Sequence, residues 1–538
     1  MAATAPGHHG AMLRRTPPAV LTAALTAAAL ALSGCGGVAR SSTTTPLVDR
    51  GTVRIAEAGE TPSFDPYSTF GASQAHYAYD SLVNPTPDGD LATGLATSWR
   101  ATATTAVFTL RAGVTCSDGS PLTASAVARS LTYAADPDNQ LAGARTVLPN
   151  VPLTARADDR TRTVSVSAGA PFPFLIRTVG LLPIVCPAGL DRPGSLARAT
   201  QGTGPYVLTR YSPGGPYEFT VRDGYTWGPG GATTAARGLP ERIRLSVVPQ
   251  SSTAANLLLT GGVDIAPVSG PDRARLTGHG LATTEVATVV GMTFFNQRPG
   301  RVLADRAVRR ALVSALNRRG LANVAVGGTG RPAEDFGAEG SVCHGHLADA
   351  HLPTGDADEA LREAGWTRSV GGARTKDGRT LRLRLITSPD LGPTLASVAE
   401  LMARRWTALG AKVELVTESL PALVNAMYTT ADFDVVVGST PGFALPAGFI
   451  PFFSGPAPAG GLNFAGVVNP EYDALVARAL REPDTTGCAT WNRAAAALLR
   501  SADALPIAEG RSGVYGHRTT FTTTFGGRLV PTSIRLHQ

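Results

Sequence analysis

The chain has 538 residues, 43% of them hydrophobic and 17% charged, with 60 glycines, 40 prolines and a formal net charge of +7. That length exceeds what one hydrophobic core usually holds, so two or more lobes are expected, while glycine and proline stay below the levels of disordered chains. The basic residues are spread without a basic block or interleaved aromatics, which speaks against nucleic acid and for an arginine-rich solvated surface.

In chain order, the first segment is a leader. Residues 1–17 carry Arg14 and Arg15 and no acidic residue, and "PAVLTAALTAAALAL" follows as a short, alanine-rich apolar run. A positive start, a short apolar segment and small residues after it describe a secretory signal peptide over 1–34. Leu32-Ser33-Gly34-Cys35 is similar to the lipobox of bacterial lipoproteins, which implies that Cys35 is lipidated and becomes the mature N-terminus. Loss of the two leader arginines leaves +5. Residues 35–50, "CGGVARSSTTTPLVDR", read as a flexible tether. No later segment reaches the roughly 18 apolar residues of a membrane helix; "PFPFLIRTVGLLPIVCP" comes nearest and is broken by Arg177 and four prolines.

Mixed α and β signals follow throughout. "AVFTL" (106–110), "ERIRLSVV" (241–248) and "LRLRLI" (381–386) read as strands. In the second, Ile243, Leu245 and Val247 alternate with Arg242, Arg244 and Ser246, the period of a half-buried strand. Thr123 is placed to cap a helix with Val127, Leu131 and Ala134 on one face. Asp305 is placed to cap "RAVRRALVSALNRRG", with Val308, Leu312 and Ala315 inward and Gly320 as its stop. "PTLASVAELMARRWTALG" sets Leu395, Val398, Met402 and Leu409 in one stripe, ends at Gly410 and feeds the strand "AKVELV", as in α/β lobes. Apart from Cys35, the cysteines are Cys116, Cys186, Cys343 and Cys488, an even number in an exported chain and hence two disulfides. Four cysteines allow three connectivities. Cys116–Cys186 with Cys343–Cys488 keeps each bridge in one half of the chain and leaves the halves free to move, and is the expected pairing.

Five separated stretches, in order, resemble the family 5 extracellular solute-binding proteins, the peptide- and nickel-binding lipoproteins of ABC importers. They are "LATGLATSWRATATTAVFTLRAGVTCSDGSPLTASAVARSL" (91–131), with Trp99 and its DG-x-P turn, and "QGTGPYVLTRY" (201–211). "LPERIRLSVVPQSSTAANLLLTGGVDIAPV" (239–268), "FFNQRPGRVLADRAVRRALVSALNRRGL" (294–321) and "NPEYDALVARAL" (469–480) complete the set. The resemblance implies an α/β, bilobed periplasmic-binding-protein-like fold of class II. Lobe I would span 51–285 with an extra subdomain over about 65–200, lobe II 286–500, and a C-terminal segment 501–538 would return to lobe I. Ligand would lie between the lobes, which close by a hinge motion. The partners implied are a peptide or small-molecule ligand, ABC permease subunits and the membrane through the N-terminal lipid. A monomer on the extracytoplasmic face, without a cofactor, is expected.

The resemblance places the solute near "TPSFDPY" (61–67), near Asn296 and near the loop after "FDVVV" (433–437). Candidate contacts are Phe64 as an apolar wall, Asn296 and Asn463 as amides, Thr440 as a hydroxyl and Phe443 as an aromatic. Phe64 serves equally well as a core anchor, and Asp65 before Pro66 as a turn initiator. Many peptide-binding relatives place an aspartate in that loop to pair with a peptide amino terminus. Here residues 435–470 contain no Asp, Glu, Lys, Arg or His. A buried ammonium without a carboxylate is costly. So the carboxylate comes from elsewhere, the solute lacks a free amino end, or it is largely apolar.

"CHGHLADAH" offers Cys343, His344, His346 and His351, residue types that bind zinc, copper or nickel, but the cysteine is expected in a disulfide and the spacing matches no established site, so no metal is assigned. G-x-S-x-G, S-x-x-K and H-E-x-x-H are absent, and Asp158-Asp159 reads as loop charge, so a hydrolase is disfavoured. A sensor or chaperone role remains the non-transport alternative.

Overall fold

A computed structural model describes residues 46–68, 74–328, 330–347, 351–439 and 443–538. Cys35 and Thr440 lie outside the described residues. No helix among the described residues is long and apolar enough to cross a membrane.

The frame is one mixed sheet of eleven strands. They are β1 (Thr52–Glu57), β2 (Tyr206–Arg210), β3 (Tyr217–Val221), β4 (Arg242–Val247), β5 (Ile265–Val268) and β6 (Ala282–Phe295). The rest are β7 (Arg331–Pro332), β8 (Arg382–Thr387), β9 (Lys412–Thr417), β10 (Val435–Gly438) and β11 (Ala504–Gly516). The spatial order is β9-β8-β10-β6-β11-β5-β1-β4-β3-β2, with β7 on the edge of β11. Alternation dictates the buried faces: Val53 and Ile55 of β1, Ile243 and Leu245 of β4, and Leu383 and Leu385 of β8 are all buried.

Two main apolar cores flank this frame, which is the bilobed α/β fold. One gathers residues from Val53 to Ile265 together with Val514, Leu529, Ile534 and Leu536. The other gathers residues from Met292 to Ala508, joined by Phe174. The first core is extended by a four-stranded antiparallel sheet over Ala96–Ala101, Thr105–Leu110, Leu153–Asp158 and Thr163–Ala168. The helix Ala124–Ala135 covers it; Thr123 caps that helix by accepting from Ala126 N, and Val127, Leu131 and Ala134 are buried. The cysteines pair as Cys116–Cys186 and Cys343–Cys488.

Two local readings need correction. The helix capped by Asp305 stops at Ser314, and a second one, Arg318–Ala325, begins after Asn317. Asn317 Oδ1 accepts from Gly320 N, so Gly320 sits inside a first turn instead of ending a helix. The last residues of the expected tether are also pinned. Val48 N donates to Leu536 O at 2.9 Å, and Gly238 N to Asp49 Oδ1 at 2.6 Å.

β6 and β11 run antiparallel from one core to the other, paired from Ala282↔Gly516 to Phe294↔Ala504. Their register is constant throughout, and the pairing is interrupted only at Gly291, between Val290↔Ala508 and Met292↔Pro506. Gly291 has φ +78°, and a Cβ there would lie 2.6 Å from Leu395 Cδ2 and 2.9 Å from Ile507 Cδ1. Both constraints call for glycine, so Gly291→Val is expected to cost roughly 2–3 kcal/mol in urea unfolding. A loss below 0.5 kcal/mol, about the scatter for surface substitutions, would show that the break tolerates a side chain.

Candidate functional site

Strand direction locates a cleft. β1, β4 and β5 run parallel to one another or pair as such, and β5 is antiparallel to β11, so Val268 at its carboxyl end faces Gly513. β8, β9 and β10 are parallel in the other lobe, and Gly438 at the end of β10 faces Met292, whose other neighbour is Pro506. The carboxyl ends of both lobes therefore point toward the stretch of β11 between Pro506 and Gly513, roughly 23 Å at ~3.3 Å per residue. Open α/β sheets bind ligands outside such strand ends.

On the lobe I side, β1 ends in a carboxylate. Val53, Ile55 and Glu57 share one face of the strand, so the acidic group occupies the third inward position. Beside it, Thr61 and Gln74 are buried and bonded side chain to side chain, and Thr61 N donates to Tyr217 Oη at 3.4 Å. Tyr77 is fully buried, and its hydroxyl has no hydrogen-bond partner among the described residues. Arg528 arrives from the C-terminal segment on a turn closed by Thr524 N donating to Arg528 O at 2.8 Å. A Cβ on Gly527 would lie 2.8 Å from Val286 of β6, so this turn rests on the crossing strand. Phe525 N donates to Thr86 O at 3.3 Å, and its ring abuts Gly340 of lobe II.

Glu57 is half-buried, whereas Arg528 is exposed. Burial raises the Glu57 carboxyl from 4.5 to about 7, against the pull of Gln74 and Arg528. The crossing strand carries Glu509, which accepts from Arg331 at 3.2 Å, while Glu339 accepts from Arg511 at 2.6 Å.

A raised carboxyl at this position is a stability cost. The folded state holds the Glu57 proton more tightly than the unfolded chain, so the cost grows as pH rises from 4.5 to about 7 and is complete above that. The groups facing Glu57 are Gln74, Tyr77 and Arg528. Glu57→Gln is expected to stabilise the empty protein by roughly 1–3 kcal/mol at pH 8 and by little at pH 4.5. Urea midpoints at the two pH values check this; an equal effect at both would refute the assignment.

The five expected contact residues divide differently. Phe64 is fully buried, edge-on to Tyr217 at 5.2 Å and to Phe219 at 5.7 Å, and anchors the lobe I core. Asn296 donates to Phe433 O at 2.7 Å and Ala431 O at 3.3 Å and accepts from Arg298 N, so its amide is used inside lobe II. Asn463 donates to Val467 O at 2.9 Å and accepts from Val467 N at 2.8 Å, which shapes its own loop. Phe443 borders a cavity with Phe336, Phe453 and Trp491. That cavity, about 40 Å³, has room for a few waters and none for a peptide. Glu57, at the carboxyl end of β1, was not among the expected contacts; an acidic residue on the inward face of "TVRIAE" was the available signal.

The histidine-rich stretch disperses. Cys343 is in a disulfide, His344 Nδ1 lies 3.1 Å from Gly337 O, and His346 pairs with Glu334. No group of three metal-ligating side chains occurs among the described residues. Asp159 accepts from Ser125 N at 2.8 Å and Asp158 from Arg160 N at 2.9 Å, both structural uses.

The chain matches the family model for bacterial extracellular solute-binding proteins, family 5 Middle, over residues 90–460. It is 31% identical to Protein XP55 of Streptomyces lividans over 369 residues, 66% of this chain and 65% of that one. It is 27% identical to the nickel-binding periplasmic protein of Escherichia coli K12 over 359 residues, 63% of this chain and 66% of that one. The match thus spans just under two thirds of both relatives' own length. Among solved structures, a substrate binding protein from Microbacterium hydrocarbonoxydans complexed with 4-hydroxybenzoate hydrazide superposes with a TM-score of 0.67. It is 27% identical, and the alignment covers 90% of this chain and all of the other.

Proposed function

The chain belongs to the family 5 bacterial extracellular solute-binding proteins, and from that membership we propose that it captures an oligopeptide or peptide-like solute between its lobes and delivers it to an ABC importer. The observation that carries the reading is the convergence of both lobes' strand ends on one stretch of β11. Closure about the Gly291 break would surround a solute with backbone groups, exclude water and strengthen each hydrogen bond. The protein acts as a monomer and binds without turnover. Mass spectrometry of small molecules released from natively purified protein is expected to recover short peptides unchanged; recovery of cleaved products or of lipid alone would refute the reading.

The uncharged stretch 435–470 favours a second reading, a solute without peptide bonds or a metal complex, which the same measurement would reveal.

Lipidation of Cys35 holds the protein at the extracytoplasmic face and raises its concentration near the permease. Cys35→Ala is expected to move the protein from the membrane to the soluble fraction and to abolish incorporation of labelled fatty acid. Retention at the membrane after this change would remove the anchor from the scheme.

A further inference from the structure

We propose that Phe174 and Arg177 form a latch that holds the two lobes closed on the cleft side without touching the solute. This rests on the closure just proposed and not on what the solute is. Phe174 is buried in the second core, whereas Leu175, Ile176 and Val179 of the helix that follows, Leu175–Val179, are buried in the first. Phe172 packs against both. A side chain of lobe I is thus seated in lobe II, its ring 5.9 Å from that of Trp491. Arg177, its side chain 6% exposed, donates from Nε to Asp484 Oδ1 at 2.6 Å and from Nη1 to Gly89 O at 2.5 Å. Asp484 lies on the lobe II side, with a left-handed backbone at φ +46°, and its N–H donates to Pro173 O at 3.0 Å. Its N–H and its carboxylate both serve lobe I.

The socket consists of two pieces of lobe II fastened to each other. Asp484 and Trp491 flank Cys488, whose bridge to Cys343 joins them to the loop that bears Gly340. A Cβ on Gly89 would lie 2.4 Å from Gly340 O, so the turn that accepts from Arg177 also rests on that loop. Val342 N donates to Ala444 O at 3.0 Å, in the chain that follows β10 beyond Gly438. The socket therefore lies at the carboxyl end of the lobe II strands, and opening the cleft has to part it. Parting would bring the Phe174 ring into water and separate Arg177 from Asp484, and both costs favour the closed form before any solute arrives. An entering solute then meets lobes already biased toward closure, which raises its apparent affinity in proportion to the closed fraction.

The test uses the full chain dialysed free of small molecules. Small-angle scattering of the wild type is expected to match the closed structure, and Arg177→Met and Phe174→Ala are expected to enlarge the radius of gyration. Hydrogen exchange over residues 484–487 should run about tenfold or more faster in both variants, with exchange along β6 and β11 unchanged. Arg177→Met is the milder change, because Asp484 is one third exposed and water replaces its partner. Cooperative unfolding of each variant confirms that it folds. Arg177→Lys should fall between wild type and Arg177→Met, since an ammonium lacks the fork that reaches two acceptors. A wild type as open as the variants, variants as compact as the wild type, or faster exchange without a larger radius overturns the latch. Each of these results leaves the reading of the solute standing, which the natively released molecules decide.

Discussion

Replacement of Asp503 by alanine is expected to lower folding stability by about 3–5 kcal/mol, among the largest effects of any single change in this chain. Asp503 is 1% exposed and directly precedes β11. Its Oδ1 accepts from Arg309 Nη2 at 2.7 Å and its Oδ2 from Asn469 Nδ2 at 2.8 Å. Arg309, 4% exposed, also donates to Leu303 O at 2.9 Å, Ala502 O at 3.1 Å and Ser501 O at 3.2 Å. Asn469 in turn caps the helix Pro470–Ala479 by accepting from Tyr472 N. Burial raises the Asp503 carboxyl and lowers the Arg309 guanidinium, in each case outweighing their mutual attraction. The pair is therefore costly to form and costlier to halve, because alanine would leave a buried cation unmatched. Replacing both partners by leucine and methionine should cost less than either single change. Guanidinium unfolding of the three variants measures this, and a loss under 1 kcal/mol for Asp503→Ala would disprove the account.

Removal of the Cys343–Cys488 bridge is expected to cost about 2–4 kcal/mol. The bridge closes a separation of 145 residues, twice the 70 spanned by Cys116–Cys186, so its loss should exceed that of the other by about 0.6 kcal/mol through loop entropy alone. It also fastens the loop that bears Glu339, which accepts from Arg331 and Arg511 and thereby ties lobe II to the crossing strand. Paired serine substitutions, compared by thermal unfolding, give the ranking. If the shorter bridge proved the costlier to remove, strain or packing would outweigh chain entropy here.

Much of the fold was legible because its signals are local. Strand alternation at Ile243 and Leu245, the Thr123 and Asp305 caps and the Leu395–Val398–Met402 stripe all lie within one element and match the structure. Gly320 misled because Asn317, three residues earlier, competes as a cap, and its side chain reaches Gly320 N. The site was harder. Asn296 and Asn463 have the right chemistry, but carbonyls brought in by the fold use their amides first. Glu57 could be found from its inward register, whereas the return of the chain end to the first core, through Leu529, Ile534 and Leu536, is something no spacing reveals.

The place of β11 also governs when this protein can fold. It lies between β5 and β6 and joins both halves of the sheet, although more than two hundred residues separate it from either neighbour's strand. Until residues 504–516 are available, β1 and β5 have no hydrogen-bonded link to β6, and every such pairing spans hundreds of residues. Closure of the sheet is thereby postponed until this strand arrives. For an extracytoplasmic protein that delay is an asset, since an export channel can thread a chain that has not yet closed its sheet.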